Sequence, residues 1–290
     1  MIYDVRQTTA YSYASKVGFA HHVLRLTPID RALQRVQAVA LDIEPAPVNR
    51  REGKDFFGNR LTWIDLDQPH DQLVIKVSAR VSVEKPALPE NTPPWEEVRN
   101  QAFATADGGA ESPANYLFPS RQVSLDPEIR DYVRESFPAG RPIYEGAAEL
   151  MKRIKDDFAY EVGATTASTT PPMSFALRRG VCQDFAHIMI SGMRGIGLPA
   201  GYVSGYLRTV APAGTTRLEG ADAMHAWVMV WCGEQHGWHG LDPTNAIPAG
   251  DDHVVVAVGR DYSDVAPIDG VVLASGRQQL RVAVSVTPVL

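Results

Sequence analysis

Arg178-Arg179-Gly180-Val181-Cys182-Gln183-Asp184-Phe185-Ala186-His187 runs into an apolar-periodic stretch containing Phe185, Ile188, Met189 and Met193, and the stretch stops at Gly195, Gly197 and Pro199. Glycine just past the last periodic residue, with proline beyond it, terminates a helix. The spacing therefore predicts a helix that begins close to Cys182 and holds the thiol in its first turn. Unpaired backbone N–H groups and the positive end of the helix dipole lie there. Both favour the thiolate, which is the nucleophilic form. The same N–H groups can stabilise an oxyanion developing on a bound carbonyl. A helical cysteine is more often a small buried hydrophobe than a nucleophile, so this reading needs a base. His187 is a poor one, because five helical residues turn it about 140° away from Cys182. Asp184 suits the dipole and opposes thiolate formation only if it turns toward the sulfur.

A better base stands downstream. Met224-His225-Ala226-Trp227-Val228-Met229-Val230-Trp231 is β-prone and apolar on both faces, the pattern of a central strand. Gly233-Glu234 follows, then Gly237 and Trp238-His239-Gly240-Leu241-Asp242-Pro243-Thr244. Glycine at the first position of a two-residue loop signals a type II′ hairpin. Folding the chain about the Gly233–Glu234 bond sets His225 directly opposite Asp242, at a Cβ separation of about 4.5–5.5 Å. A longer loop or a bulge would shift that register. A carboxylate so placed fixes the imidazole tautomer and stabilises the imidazolium. A strand histidine alone is usually structural. The His–Asp pair together with a helix-start cysteine carries the reading: Cys182 as nucleophile, His225 as base and acid, Asp242 as orienter.

Other groups weigh less. His236 and His239 have a ligand-like interval but sit on a turn and a strand, and Cys232 lies at the hairpin end. Asp65-x-Asp67 and Asp251-Asp252 lack the rest of a calcium loop. No glycine-rich phosphate loop is present. No metal and no cofactor are expected.

The 290 residues suggest two domains. Residues 1–85 read as short strands of an antiparallel β-rich, sandwich-like domain. Ile2–Thr8 opens it. Val36–Ile43 alternates with Val36, Ala38 and Ala40 on one face, and Leu73–Val83 places Leu73, Ile75, Val77, Ala79, Val81 and Val83 together. Prolines 86, 89, 93, 94, 113 and 119 mark 86–125 as a linker with one short helix near Trp95–Ala104. Residues 126–290 form the catalytic domain. Pro127 after Asp126 starts a helix there, and Ala147, Leu150, Met151, Ile154 and Phe158 share a helix face. Residues 163–172 read as a loop. The tail alternates at Leu280, Val282, Val284 and Val286 and is expected to pair with an existing sheet.

Composition narrows the function classes. The net charge is −6 and no basic run occurs, which argues against a nucleic-acid binder. Residues 1–17 carry Asp4 and no apolar core, so no signal peptide is expected, and apolar runs such as Val254–Val258 are strand-sized. No membrane partner is expected, and a cytoplasmic location is the default. In a reducing compartment both Cys182 and Cys232 are expected as free thiols.

Four segments resemble the bacterial transglutaminase-like proteins: Arg179–His187, Pro199–Tyr206, Asp222–Val228 and Gly237–Asn245, continued by Asp252-His253 and by Val258–Tyr262. The N-terminal part is similar to the β-rich domain that precedes this core in the family, notably at Phe57-Gly58-Asn59. The resemblance covers nearly the whole chain. It implies an α+β fold, a papain-like transglutaminase core preceded by the antiparallel β-rich domain, with Cys182, His225 and Asp242 in the roles given above. Tyr160 and Gln183 are candidates for the oxyanion site or cleft. One departure is Met229, where family members often carry an acidic residue. The implied chemistry is acyl transfer on a peptide or protein amide through a thioester. Peptidase or amidase action leads, with transamidation of protein glutamine as the alternative. A noncatalytic binding protein would be expected to have lost part of the triad. An arylamine acetyltransferase fits the residues around Cys182 less well.

Overall fold

The computed structural model describes residues 1–209 and 223–289. Six strands open the chain: β1 (Ile2–Val17), β2 (Phe19–Leu24), β3 (Gln34–Glu44), β4 (Asn49–Lys54), β5 (Arg60–Leu66) and β6 (His70–Val83). A mixed segment follows with α1 (Trp95–Ala104), a 3-10 turn (Pro113–Tyr116), α2 (Pro127–Arg134), α3 (Ile143–Asp157), β7 (Ala159–Tyr160), α4 (Pro171–Leu177), β8 (Arg179–Gly180) and α5 (Cys182–Gly195). Then come β9 (Ala200–Leu207), β10 (Ala223–Trp231), β11 (Trp238–Asp242), β12 (Ile247–Pro248), β13 (His253–Gly259), α6 (Tyr262–Val265), β14 (Ile268–Leu273) and β15 (Gln278–Pro288). The fold is α+β with antiparallel main sheets. Among the described residues no helix is long and apolar enough to cross a membrane.

The N-terminal sandwich has two four-stranded sheets, ordered β15-β1-β6-β3 and β14-β2-β5-β4. Each takes its outer strand from the end of the chain. β15 pairs with β1 from Tyr3↔Pro288 to Tyr13↔Gln278, and β14 pairs with β2 from Leu24↔Ile268 to Phe19↔Leu273. The alternation in β6 works as expected, with Leu73, Ile75, Val77, Ala79, Val81 and Val83 all buried. The face expected for β3 is corrected beyond Val36. A bulge between Val36 and Ala38 changes the parity, so Leu41 and Ile43 turn toward the core while Ala38 and Ala40 are exposed.

The long strands β1 and β6 extend past the second sheet. The face that covers β2 and β5 at one end covers β9 and β13 at the other, where Tyr3, Val5, Val81, Val83, Val284 and Val286 pack with Tyr206, Val254 and Val256. Two side chains replace strand pairing across this joint. Asn59 is fully buried; its amide donates to the Val258 carbonyl at 2.7 Å and accepts the Val258 N–H at 2.8 Å. Gln34 does the same with Val255, both at 2.8 Å.

The C-terminal core stacks helices on a five-stranded sheet, β12-β11-β10-β9-β13. α2 starts as expected: Asp126 Oδ1 accepts from Glu128 N at 2.9 Å and Ile129 N at 3.1 Å, with Pro127 at the first position. Two expectations need correction. The proline-rich segment 86–125 is part of this core rather than a bare linker, since Trp95, Val98, Ala102, Leu117 and Val123 are buried in it. Proline limits regular structure, not burial. The loop expected at 163–172 gives way at Pro171 to α4, because Pro171-Pro172 occupies the first helical turn, where proline needs no N–H partner.

Candidate active site

α5 is the central helix of the core, buried from Asp184 to Arg194, and it begins at Cys182 after extended Val181. Asp184 resolves the question its charge raised. Its Oδ2 accepts the Val181 N–H at 2.8 Å and the Thr165 hydroxyl at 2.6 Å, so the carboxylate is spent on anchoring the helix start. Gly180 makes room for it, since a Cβ there would meet Asp184 Oδ2 at 2.5 Å. The first-turn N–H groups of Cys182 and Gln183 have no carbonyl four residues back within the helix. His187 packs away from Cys182: its Nε2 accepts the Tyr262 N–H at 3.2 Å, its ring lies 5.1 Å from that of Tyr202, and burial lowers its imidazole to about 4.

The hairpin that carries the other two groups has a longer turn than expected. Trp231 pairs with Trp238 and Val228 with Leu241, and the turn closes with Cys232 N to Gly237 O at 2.8 Å. The expected two-residue II′ loop is therefore replaced by a turn over Gly233–Gly237, and Asp242 lies across from Trp227 in the extrapolated register rather than from His225. The shift is two residues, an even number, so side-chain parity is kept and His225 and Asp242 share a face as diagonal neighbours. Diagonal side chains of this length still meet. His225 Nε2 donates to Asp242 Oδ2 at 2.8 Å, with His225 8% and Asp242 0% exposed. Nε2 is thus committed to the carboxylate, and Nδ1 is the nitrogen left for the thiol.

Asp242 is held from several sides. Oδ1 accepts Thr244 N at 2.9 Å and Asn245 N at 3.2 Å, and Oδ2 accepts Asn245 Nδ2 at 2.7 Å besides His225. Burial would raise its pKa, but the hydrogen bonds from His225 and His253 outweigh that and hold it well below the carboxylate range. Burial likewise would lower His225, yet its hydrogen bonds with Asp242 and with Cys182 outweigh it and push the imidazole up to about 9. The imidazolium is the stable form at neutral pH.

His253 is a neighbour of this pair that the sequence reading did not bring to the site. Its Nδ1 accepts the Gly250 N–H at 3.2 Å, so Nε2 carries the proton and points it at Asp242 Oδ2, 3.3 Å away. The residue is 4% exposed and its ring packs edge-on to Trp227 at 5.1 Å, while Trp227 stacks beside His225 at 6.2 Å. Strand β9 lies between β10 and β13, and the residue paired with His225 is Gly205. A Cβ at Gly205 would meet the Val254 carbonyl oxygen at 2.1 Å and the Trp227 ring at 2.6 Å. Ligand atoms of His225, Asp242 and His253 lie within 4.8 Å of one another, donor types that a divalent metal can take. In this arrangement the three side chains form a hydrogen-bond cluster, with His225 Nε2 and His253 Nε2 both within hydrogen-bond distance of Asp242 Oδ2. The only sequence signal for His253 was its place in the Asp252-His253 motif.

Cys182 and His225 line one cavity of about 400 Å³, with Gln183 beside them. The Gln183 side chain is turned aside, its Nε2 donating to the Ala167 carbonyl at 3.0 Å. Tyr160 pairs in parallel with Gly180 and is half exposed; burial and the nearby Cys182 raise its hydroxyl. Met229 packs with Tyr116, Val203, Trp227 and Val258, away from this cavity. Cys232 is a buried free thiol that burial pushes up to about 12. Asp222, at the head of the histidine motif, lies outside the described residues.

Comparison with known proteins places these features. Residues 3–82 match the family model of the bacterial transglutaminase-like N-terminal region, and residues 130–243 match that of the transglutaminase-like superfamily. An uncharacterized protein of Mycobacterium tuberculosis is 38% identical over 99% of this chain and 92% of its own length. A protein-glutamine gamma-glutamyltransferase of Pseudomonas aeruginosa is 38% identical over 34% of this chain, a stretch that is 15% of that protein. A crystal structure from Cytophaga hutchinsonii, described as a "Putative Cysteine Protease", superposes with a TM-score of 0.75 at 19% identity, covering 100% of this chain and 91% of that one. At that identity the likeness is one of fold.

Proposed function

The chain belongs to the transglutaminase-like superfamily, and from that premise we propose that it is a cysteine-nucleophile acyl-transfer enzyme acting on an amide or peptide carbonyl. One observation carries the reading: Cys182, at a helix start, shares a cavity with His225, whose Nε2 is fixed by Asp242 and whose imidazole is pushed up to about 9.

The Cys182 thiolate attacks the carbonyl carbon, and the Cys182 N–H receives the charge that moves onto oxygen. The tetrahedral species collapses as His225 Nδ1–H protonates the departing nitrogen, which leaves a thioester on Cys182 and a free amine. Water then attacks the thioester, giving its proton to His225. The acid departs, and the thiolate–imidazolium pair is restored. Asp242 stays ionised throughout and holds the ring.

Hydrolysis, as a peptidase or amidase, is the primary assignment. Leu280 and Val282 line the cavity and are 54% and 47% exposed, so bulk water reaches it. Amine transfer is the second reading, favoured by the segment shared with the Pseudomonas glutamyltransferase. Incubation with peptide amides, with and without a primary amine, followed by mass measurement, separates them. Acid products in both incubations support hydrolysis, and amine adducts support transamidation. No Cys182-dependent product in either would leave a noncatalytic binding protein.

A further inference from the structure

The cavity is not built by the catalytic domain alone. Three cross-strand pairs of the N-terminal sandwich line it: Gln7↔Val284, Thr9↔Val282 and Tyr11↔Leu280, from β1 and β15. These residues share the face that is covered by the catalytic sheet at one end, through Tyr3, Val5 and Val286, and by the second sandwich sheet at the other. Among the described residues, the face between the two covers lies open over Cys182 and His225. On the outer strand it presents Leu280 and Val282 about half exposed, although the same face buries Val284 and Val286 further along. Apart from the His225 imidazole, no residue among those described around the cavity is Asp, Glu, Lys, Arg or His.

Large apolar side chains left open beside a reactive group mark a ligand subsite. The geometry points to the β1–β15 wall as a subsite for substrate side chains beside the scissile amide, which takes peptides whose side chains there are uncharged and apolar. The proposal rests on the acyl-transfer reading of Cys182. It gives the sandwich a direct part in substrate selection, and it identifies Leu280 and Val282 as the specificity residues. Gln7 is already engaged, its Nε2 donating to Thr9 Oγ1 at 2.9 Å and its Oε1 accepting the Tyr206 hydroxyl, so this end of the wall offers little to a charged group. A lysine or aspartate side chain placed there would lose hydration without gaining a partner.

The test separates binding from turnover. Isothermal titration of the Cys182→Ala protein would use acetylated tripeptide amides that differ only in carrying leucine, aspartate or lysine at two adjacent residues. The leucine peptide is expected to bind about tenfold tighter than either charged one, the gain from burying one such side chain. Leu280→Glu and Val282→Glu, each placed on this Cys182→Ala background at positions already half exposed, should remove that preference and favour the lysine peptide. The milder Val282→Thr should weaken the leucine peptide alone. Equal binding of the three peptides, no binding of any, or an unchanged preference in Leu280→Glu and Val282→Glu would overturn the assignment. A wild-type protein that yields no Cys182-dependent product, while its Cys182→Ala variant still prefers leucine, would instead overturn the acyl-transfer reading and leave this subsite standing.

Discussion

Cys182 and Cys232 are both free, yet their surroundings differ in the direction that decides reactivity. Cys182 is partly exposed at a helix start beside His225, whereas burial holds the Cys232 thiol at about 12. Iodoacetamide at neutral pH should therefore modify Cys182 alone in the folded protein, and Cys182→Ala should abolish both labelling and turnover; peptide mapping reads the site. The proton on His225 sets a second expectation. With the imidazole raised to about 9, the acid of the proposed reaction is lost above that pH, so kcat/KM should fall on the alkaline side near 9. Asp242→Asn removes the main support for the charge. The ring should then move back toward its ordinary 6.5, bringing the alkaline limb down with it, and the rate should drop by about 10²–10⁴-fold. A profile unchanged by that substitution would contradict the role given to Asp242. His253→Ala takes one donor from Asp242 and leaves a hole beside Trp227; a partial rate loss with a shifted alkaline limb is expected, partly restored in His253→Gln.

At the scale of elements, the site depends on two places where a side chain is missing. Gly180 lets the Asp184 carboxylate reach the Val181 N–H, and Gly205 lets Trp227 and the Val254 backbone close over β9. Gly180→Ala should displace Asp184 and loosen the first turn of α5, costing about 1–3 kcal/mol in urea denaturation and slowing Cys182 labelling. Gly205→Val should be worse, because its nearest obstacle is a backbone oxygen that cannot turn aside. The extent of α5 was legible, since Gly195, Gly197 and Pro199 stop it and Cys182 falls at its start. The hairpin register was not, because Gly233-Glu234 imitates a two-residue loop and Gly237 offers an alternative closure. The face shared by His225 and Asp242 survived that error, as an even shift keeps parity. In β3 the single-residue bulge after Val36 did the opposite and reversed the face.

For the whole molecule, the buried His225–Asp242 pair links stability to pH in a definite direction. Asp242 is depressed from its ordinary 3.8, so its contribution is present above that value and lost on acidification. His225 is raised, so its contribution is complete below 6.5 and lost as pH rises through about 9. Thermal denaturation of wild type against Asp242→Asn should show the largest gap between these limits and a shrinking one on either side. Because β14 and β15 are the outer strands of both sandwich sheets, deletion of 268–290 should uncover β1 and β2 and yield aggregated protein by size exclusion. A monodisperse deletion protein would show that the sandwich closes without them. Local signals in the chain were enough to determine the α5 start at Cys182, the strand character of 224–231 and 238–242, the alternation in β6 and the cap at Asp126, since each rests on neighbours within a turn or a hairpin. Only the tertiary structure decided that His253 reaches Asp242 across β9, that the proline-rich segment joins the core, and that β1 and β15 wall the cavity. Those contacts join residues far apart in the chain, and no short-range periodicity carries the position of a distant partner.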